Sequence, residues 1–248
     1  MTPSRSKPAF TLVELLVVLA IIGLLAALLL PALSGAKRRA ATTRCAGNLR
    51  QLGIALHGYL QDEEAYPLAT SGDGQGAWQR VLRPVVGEAL LYCPQLIRAN
   101  DQYLKIYPSN TFIFPHYGYN YVGATHRDPP PKNLGLGGNY NYLSSGLRFT
   151  PTVESSVIAP AQMLALGDGA AFFPNTGIPD PADVLYFMFP YVLPLIGKPG
   201  VGNWHSGGAN MLFCDGHVQW AKQSFWIAPT DESRQLWNSD HEPHAECW

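Results

Sequence analysis

The sequence predicts an α+β fold, in which a long N-terminal helix leads into a globular domain with a small antiparallel β-sheet and long loops. Three observations carry this prediction. Residues 10–33 are almost wholly apolar, as expected for a helix that spans a membrane. Residues 34–65 continue with an amphipathic helical pattern, and residues 205–221 show the apolar alternation and the Asp-Gly pair of a β-hairpin.

The apolar stretch at residues 10–33 reads FTLVELLVVLAIIGLLAALLLPAL, and Glu14 is its one charged residue. About 21 residues at a rise of ~1.5 Å give a helix of about 30 Å, which is one hydrocarbon thickness. Every face of this helix is apolar, so it lies in lipid or in a bundle of similar helices. A secretory signal peptide would have a shorter apolar run, and a plain single-pass anchor would explain the length but not Glu14.

Glu14 is expected to have an ionic or hydrogen-bonding partner. An ionisable group inside a spanning helix costs roughly 2.5–3.5 kcal/mol and is normally paired. Residues 10–33 contain no basic side chain. The stretch KPAFTLVE at residues 7–14, followed by the apolar run, resembles the processing signal of type IV prepilins and type II secretion pseudopilins. That family usually has Gly where this chain has Ala9, and both residues are small.

The resemblance implies how the N-terminus is processed and used. A prepilin peptidase would cut between Ala9 and Phe10, remove residues 1–9 as a leader and methylate the new amine. Glu14 would then neutralise the amine of a neighbouring subunit. The implied partners are the peptidase, other pilin or pseudopilin subunits in a homo- or hetero-filament, and a bacterial inner membrane that the chain crosses once, with its C-terminal domain periplasmic or extracellular.

The charge distribution bears on partners and on orientation. A formal net charge of −1 gives no reason to expect nucleic-acid binding. Only Arg5 and Lys7 precede the apolar run, and five basic residues follow it: Lys37, Arg38, Arg39, Arg44 and Arg50. Counting positive charges would therefore place the C-terminal side in the cytoplasm. The processing signal implies the opposite orientation, and we follow the signal.

Residues 34–65 are predicted to continue the helix beyond a bend near Pro31, where the proline removes one backbone hydrogen bond. Apolar or small residues recur there at steps of three or four: Ala41, Cys45, Leu49, Leu52, Leu56 and Leu60. This spacing puts them on one helix face that packs against the domain. The helix is expected to end near Tyr66-Pro67, because the residue before a proline disfavours the helical conformation.

Residues 66–248 are the predicted extracytoplasmic globular domain. Its first part, residues 67–160, is rich in Gly, Pro, Asn and Tyr, which indicates long loops and only short strands. Residues 164–168 are predicted to form a strand that ends in a turn at Gly167-Asp168-Gly169. The apolar residues 184–196 are too few to span a bilayer and are broken by two prolines, so they are predicted to be a buried or subunit-facing loop.

The β-hairpin at residues 205–221 is centred on Asp215-Gly216, a pair that is preferred in two-residue type I′ turns. His205, nine intervening residues and then Asp215-Gly216 also resemble a C-terminal signature of the same pilin-like group. The resemblance therefore covers both ends of the chain, with a variable middle.

His205, Asp215 and His217 are the residues best suited to bind a metal or to act as acid and base. The alternative is that Asp215 caps the turn while His205 anchors the loop through hydrogen bonds. The sequence has no nucleophile motif, P-loop or dinucleotide fingerprint. We therefore expect a structural subunit without a cofactor or a metal, and not an enzyme.

A rival interpretation is a membrane-anchored binding or enzymatic domain that never polymerises. Its working surface would be the His205/Asp215 cluster or the Tyr-rich region, since seven of the 12 tyrosines lie between Tyr103 and Tyr142. Such tyrosines stack on sugars or on a partner protein, or else they pack a loop-rich domain.

The chain has four cysteines: Cys45, Cys93, Cys214 and Cys247. Their spacing matches no metal motif, and they allow three fully paired connectivities. An extracytoplasmic location permits a disulfide, although some of these residues can equally be small buried apolar side chains.

Overall fold

The computed structural model describes residues 11–68, 77–94, 117–123, 133–143, 146–169, 187–188, 190, 192–193 and 198–245. Along these residues the structure has helices α1 (Leu12–Glu63) and α2 (Ala77–Val86), strands β1 (Tyr117–Asn120), β2 (Asn139–Leu143), β3 (Gly146–Thr150), β4 (Leu164–Asp168), β5 (Phe187–Met188), β6 (Val192–Leu193), β7 (Lys198–Pro199), β8 (Gly208–Phe213) and β9 (Val218–Lys222), and helices α3 (Gln223–Trp226) and α4 (Asp231–Gln235). The predicted α+β fold is confirmed.

Helix α1 is 52 residues long and continues through Pro31. Because proline has no N–H, one backbone hydrogen bond is missing at this position, and Ser34 Oγ donates to the carbonyl oxygen of Pro31 at 2.8 Å. A bend at Pro31 stays a prediction. The helix ends at Glu63, and the next residue, Glu64, has a φ of 53°. It thus ends just before the expected Tyr66-Pro67.

The chain divides into two compact units, Met1–Ala40 and Ala41–Trp248. In the first unit, the large apolar side chains of α1 up to Leu33 are exposed by 45% to 74%. In the second unit, α1 buries the face that the sequence predicted: Cys45, Leu49, Leu52, Leu56 and Leu60 are buried, and Ala41 is partly buried. Each fully buried leucine contributes roughly 1.5–3 kcal/mol, so this face holds α1 onto its domain.

The main sheet of the second unit has the strand order β5-β1-β4-β8-β9. Its four strands β1, β4, β8 and β9 pair antiparallel, while the short β5 pairs parallel with β1. Two further pairs, β2 with β3 and β6 with β7, are antiparallel. The predicted antiparallel sheet is therefore present, with one parallel edge strand added.

Strand β8 shows how the sheet separates two clusters of the core. Ala209, Met211 and Phe213 belong to the cluster that contains Trp226 and Trp237, and Leu212 belongs to the cluster on the α1 side. This alternation follows from the two-residue period of a strand. On α1, a Cβ at Gly53 would lie 2.9 Å from Leu212 Cδ1, so this glycine lets the helix approach β8 closely.

The predicted strand at residues 164–168 is confirmed, but the predicted turn at Gly167-Asp168-Gly169 is wrong. Gly167 and Asp168 lie within β4, where they pair with Gly118 and Tyr117 of β1, and Gly169 forms a bridge to Val201. A Cβ at Gly167 would collide with the sulfur of Met211. The glycine is therefore needed for close packing and not for a turn.

The predicted loop at residues 184–196 contains two short strands where the structure describes it. Phe187–Met188 extends the main sheet beside β1, and Val192–Leu193 pairs with Lys198–Pro199. Met188 is fully buried, which agrees with an inward-facing apolar segment. A strand forms here because the free edge of β1 supplies hydrogen-bond partners, and local sequence carries no signal for that edge.

Candidate functional site

The N-terminal end of α1 carries Glu14, one of the three predicted processing and assembly residues; Ala9 and Phe10 lie outside the described residues. The Glu14 carboxylate accepts hydrogen bonds from Thr11 N (2.8 Å) and Thr11 Oγ1 (2.7 Å), and Thr11 Oγ1 accepts one from Glu14 N (3.2 Å). This reciprocal arrangement is a capping box. The T-x-x-E spacing was visible in the sequence, but its capping role was missed.

The capping box does not use the whole carboxylate of Glu14. Both donated bonds reach Oε2, and Oε1 takes no part in them. An ionised carboxylate accepts about four hydrogen bonds, so capping leaves room for another donor. Capping its own helix and pairing with a cation on a neighbouring chain are therefore compatible roles.

The apolar part of α1 is the largest exposed hydrophobic feature among the described residues. None of its most apolar stretch is buried within the chain. By length and composition this helix can cross a membrane. A surface of this kind requires lipid or other helices as its environment.

The β8–β9 hairpin is confirmed, but its connection is not a two-residue type I′ turn. Gly216 N donates to Phe213 O at 3.0 Å, and Phe213 N donates to His217 O at 2.9 Å, which encloses the three residues 214–216. A type I′ turn needs positive φ at both central residues, and here only Gly216 (91°) has it. This is a three-residue loop closed by a left-handed glycine.

Asp215 caps the hairpin loop, as the alternative to a metal or acid–base role expected. Its Oδ1 accepts hydrogen bonds from His217 N (3.0 Å) and His217 Nδ1 (2.6 Å). Partial burial raises the pKa of the Asp215 carboxyl, but the hydrogen bonds from His217 outweigh it and hold the pKa below its usual value. Asp215 is thus an ionised cap of the hairpin loop.

Replacing Gly216 with Val is expected to destabilise the domain by about 1–3 kcal/mol, because a β-branched residue resists a positive φ. The new Cβ would also lie 3.3 Å from His57 Cε1. Thermal unfolding followed by circular dichroism measures the loss. The matched control is Gly58→Val, since no heavy atom lies within 4 Å of a Cβ at that helical position. Equal melting temperatures for the two variants would contradict the loop geometry.

The candidate metal or acid–base cluster of His205, Asp215 and His217 does not form, because the structure places His205 in different surroundings. His205 is buried, and its Nε2 lies 3.3 Å from Asp168 Oδ2 and 3.4 Å from Cys93 Sγ. Its Nδ1 lies 3.1 Å from Thr42 Oγ1. Asp215 and His217 instead form an exposed pair. The turn holds those two together, whereas the loop before β8 carries His205 into the core.

The structure pairs Cys45 with Cys93 in a disulfide and leaves Cys214 as a buried free thiol; Cys247 lies outside the described residues. Burial raises the pKa of Cys214 to about 12, so this residue remains an unreactive thiol. Cys45, Cys93, Asp168 and His205 form one group of potential metal ligands, and all four are buried.

Sequence reasoning missed Asp168 and the two cysteines as neighbours of His205. Asp168 Oδ2 accepts hydrogen bonds from Asn210 N (2.6 Å) and Asn210 Nδ2 (3.0 Å). The one available signal in the sequence was Asp168 itself, an ionisable residue at the end of the otherwise apolar predicted strand Leu164–Asp168. Such a residue must find a partner in the core.

Two tyrosines at the centre of the Tyr-rich region lie in the core and are not available for stacking on a ligand. Tyr117 and Tyr119 are fully buried, and their hydroxyls donate to the carbonyl oxygens of Cys45 (3.4 Å) and Pro67 (3.0 Å). Burial raises the pKa of both hydroxyls far above the usual value, so they remain protonated donors. Tyr103 and Tyr107 lie outside the described residues.

Comparison with known proteins finds similarity at the N-terminus and beyond it. Residues 4–30 match the family described as the prokaryotic N-terminal methylation motif. The chain is 32% identical over 106 residues to a type II secretion system core protein G of Klebsiella michiganensis, covering 43% of this chain and 68% of that protein. No solved structure matches the chain.

Two further relatives bear the same name. The protein from Escherichia coli K12 is 30% identical over 151 residues, which cover 59% of this chain and 86% of the relative. The protein from Pseudomonas aeruginosa is 37% identical over 68 residues, covering 27% of this chain and 48% of the relative. The similarity to these proteins is thus broader than the N-terminal motif alone.

Proposed function

Because this chain belongs to the type II secretion system core protein G family of pseudopilins, we propose that it is a membrane-anchored structural subunit of a secretion filament. A prepilin peptidase removes residues 1–9 and methylates Phe10. The processed subunit then assembles with copies of itself or with other pseudopilins. The role is structural and not enzymatic.

The exposed apolar part of α1 is the observation that carries this proposal. Its large side chains up to Leu33 are exposed by 45% to 74%, whereas the same helix from Cys45 onward packs one face on its domain. A helix that served only its own domain would not keep all faces apolar over this length. Lipid covers this surface before assembly, and neighbouring helices cover it afterwards.

Assembly exchanges lipid contacts for helix contacts. Between apolar helices in a membrane there is little hydrophobic driving force, so side-chain packing and polar pairs decide the association. Glu14 is the charged group available for such a pair within the apolar run, and its capping box fixes the carboxylate at the start of the helix. The amine of Phe10 on a neighbouring subunit supplies the opposite charge.

The proposed location is the inner membrane of a bacterium, with a single crossing and the C-terminal domain in the periplasm. The disulfide between Cys45 and Cys93 supports this orientation, since disulfides persist in the periplasm and are rare in the cytosol. The basic residues that follow the apolar run argue for the opposite side, but the charge rule is a statistical tendency.

The rival function, an anchored binding or enzymatic domain, loses its support among the described residues. Tyr117 and Tyr119 are buried, His205 is buried away from solvent, and Asp215 caps a loop. These arrangements serve packing and turn formation. Of the His205/Asp215 cluster only Asp215 is exposed, and its carboxylate is held within the hairpin loop by His217.

Processing at Ala9-Phe10 is the first test of the proposed function. Coexpression with an active prepilin peptidase should yield a mature chain that lacks residues 1–9 and carries one N-terminal methyl group. Intact-mass and peptide mass spectrometry measure both changes. We expect Ala9→Gly to be cut at least as well as the natural chain and Ala9→Leu to be cut poorly, because the site must accept a small residue.

Expression with an inactive peptidase is the control for other proteases. In that host the chain should keep its leader. A chain that still begins at Met1 in the presence of active peptidase, or one that begins near Ser34 as after signal-peptide cleavage, would contradict the proposal.

A further inference from the structure

Four buried side chains from distant parts of the second unit meet with their ligand atoms close together. Cys45, Cys93, Asp168 and His205 each offer a sulfur, nitrogen or oxygen atom, and these atoms all lie within 4.8 Å of one another. All four residues are exposed by 0% or 1%. Two thiolates, one imidazole and one carboxylate are a ligand set that suits a tetrahedral zinc ion.

Outer hydrogen bonds orient two of these side chains toward the centre of the group. With its ring proton on Nδ1, His205 donates to Thr42 Oγ1 and directs the lone pair of Nε2 toward Cys93 and Asp168. Asn210 holds Asp168 by two hydrogen bonds to Oδ2. Bonds of this kind fix the orientation of ligands around protein metal sites.

Asp168 also has an unsatisfied atom. Its Oδ1 is buried and has no hydrogen-bond partner within the described residues. The neighbouring disulfide has no hydrogen to donate to this oxygen. A disulfide needs neither a carboxylate nor an imidazole for its stability, and an unpaired buried acceptor destabilises the fold. The disulfide therefore does not account for Asp168 and His205.

We propose that the reduced form of the chain binds one Zn²⁺ ion through Cys45 Sγ, Cys93 Sγ, His205 Nε2 and the Asp168 carboxylate. Each thiol releases its proton to solvent as its sulfur bonds to the metal, and no electrons are transferred. The disulfide and the metal are alternatives, because a sulfur in a disulfide is not a thiolate ligand. When the disulfide is absent, the zinc ion would join α1 to the last residue of β4 and to the loop before β8 that carries His205.

Cobalt binding to the full chain in detergent micelles tests this site. A phosphine reduces the disulfide to two thiols and is itself oxidised to the phosphine oxide; it is then removed without oxygen. Adding Co²⁺ should give a thiolate-to-cobalt charge-transfer band and strong visible bands of a tetrahedral complex, saturating at one ion per chain. Zn²⁺ should displace Co²⁺ and remove these bands. The oxidised chain should show neither set of bands.

Variants separate this site from adventitious binding. Cys45→Ser removes one of the two thiolates and should lower the charge-transfer band by at least half, and the matched variant Cys214→Ser at a buried free cysteine should keep its full intensity. Thr42→Val removes the outer bond to His205 and should weaken cobalt binding about 10-fold, a typical loss for such a partner. Thr43→Val, the same change at the exposed neighbouring position, should leave the affinity unchanged.

Three results would overturn the proposal. One is a reduced natural chain that keeps its circular dichroism but gives only the spectrum of hydrated Co²⁺. Another is a reduced chain that unfolds and that neither Co²⁺ nor Zn²⁺ restores. The third is a charge-transfer band that Cys214→Ser removes and Cys45→Ser keeps. None of these outcomes bears on filament assembly, which is measured separately.

Discussion

Replacing Glu14 with Gln is expected to abolish filament assembly while leaving membrane insertion and processing intact. Gln at the third helical position still completes a capping box, so the start of α1 is preserved. The negative charge is lost, and the amine of a neighbouring Phe10 then lies unpaired among apolar helices. Breaking a buried ion pair on one side costs about 3–5 kcal/mol. Chemical crosslinking of cells that coexpress the secretion machinery measures the multimers.

Thr11→Ala is the control that divides the two roles of Glu14. It removes the threonine half of the capping box, at a cost of about 1 kcal/mol, and keeps the carboxylate. Processed Thr11→Ala should form multimers, whereas processed Glu14→Gln and Glu14→Ala should not. Normal multimers from Glu14→Gln would mean that the carboxylate only caps its helix and would favour the non-polymerising anchored domain.

Replacing both Cys45 and Cys93 with Ala is expected to lower the free energy of unfolding by about 4 kcal/mol in the absence of metal. The disulfide joins residues separated by 48 positions, and closing a loop of this length removes a corresponding amount of chain entropy from the unfolded state. Urea unfolding of the full chain in detergent, followed by circular dichroism, measures the change in the midpoint.

Cys214→Ala is the matched control for the double substitution. It also removes a buried sulfur, but this sulfur is outside the disulfide, so only the loss of packing and of the hydrogen bond with Tyr66 is expected. Reduction should lower the midpoint of the natural chain and of Cys214→Ala, and should leave the double variant unchanged. A double variant as stable as the oxidised natural chain would show that the disulfide contributes no stability.

Short-range patterns determined much of this protein from the sequence alone. The apolar run, the three- and four-residue spacing from Ala41 to Leu60 and the strand at Leu164–Asp168 all depend on neighbours within a few residues. Each follows the period of a single helix or strand. The processing motif belongs to the same class, because Glu14 lies only four residues after Phe10.

The sequence predicted where the hairpin turns but not the type of turn. The Asp215-Gly216 pair located the hairpin, but the number of loop residues depends on how β8 and β9 pair. With Leu212 opposite Val218, three residues remain between Phe213 and His217, and one positive φ is then enough. The turn prediction at Gly167 fails for a related reason, since a glycine required by packing and a glycine required by a turn look alike in sequence.

Tertiary structure alone decided the surroundings of His205. Its partners Cys93 and Thr42 are 112 and 163 residues away in the chain, and Asp168 lies on a different strand. No period or local spacing encodes such a meeting, because it depends on how α1 packs against the sheet and on where the loop before β8 enters the core. Sequence therefore specified the helix, the hairpin and the processing motif, while the disulfide and the ligand group arose from packing between segments that are distant in the chain.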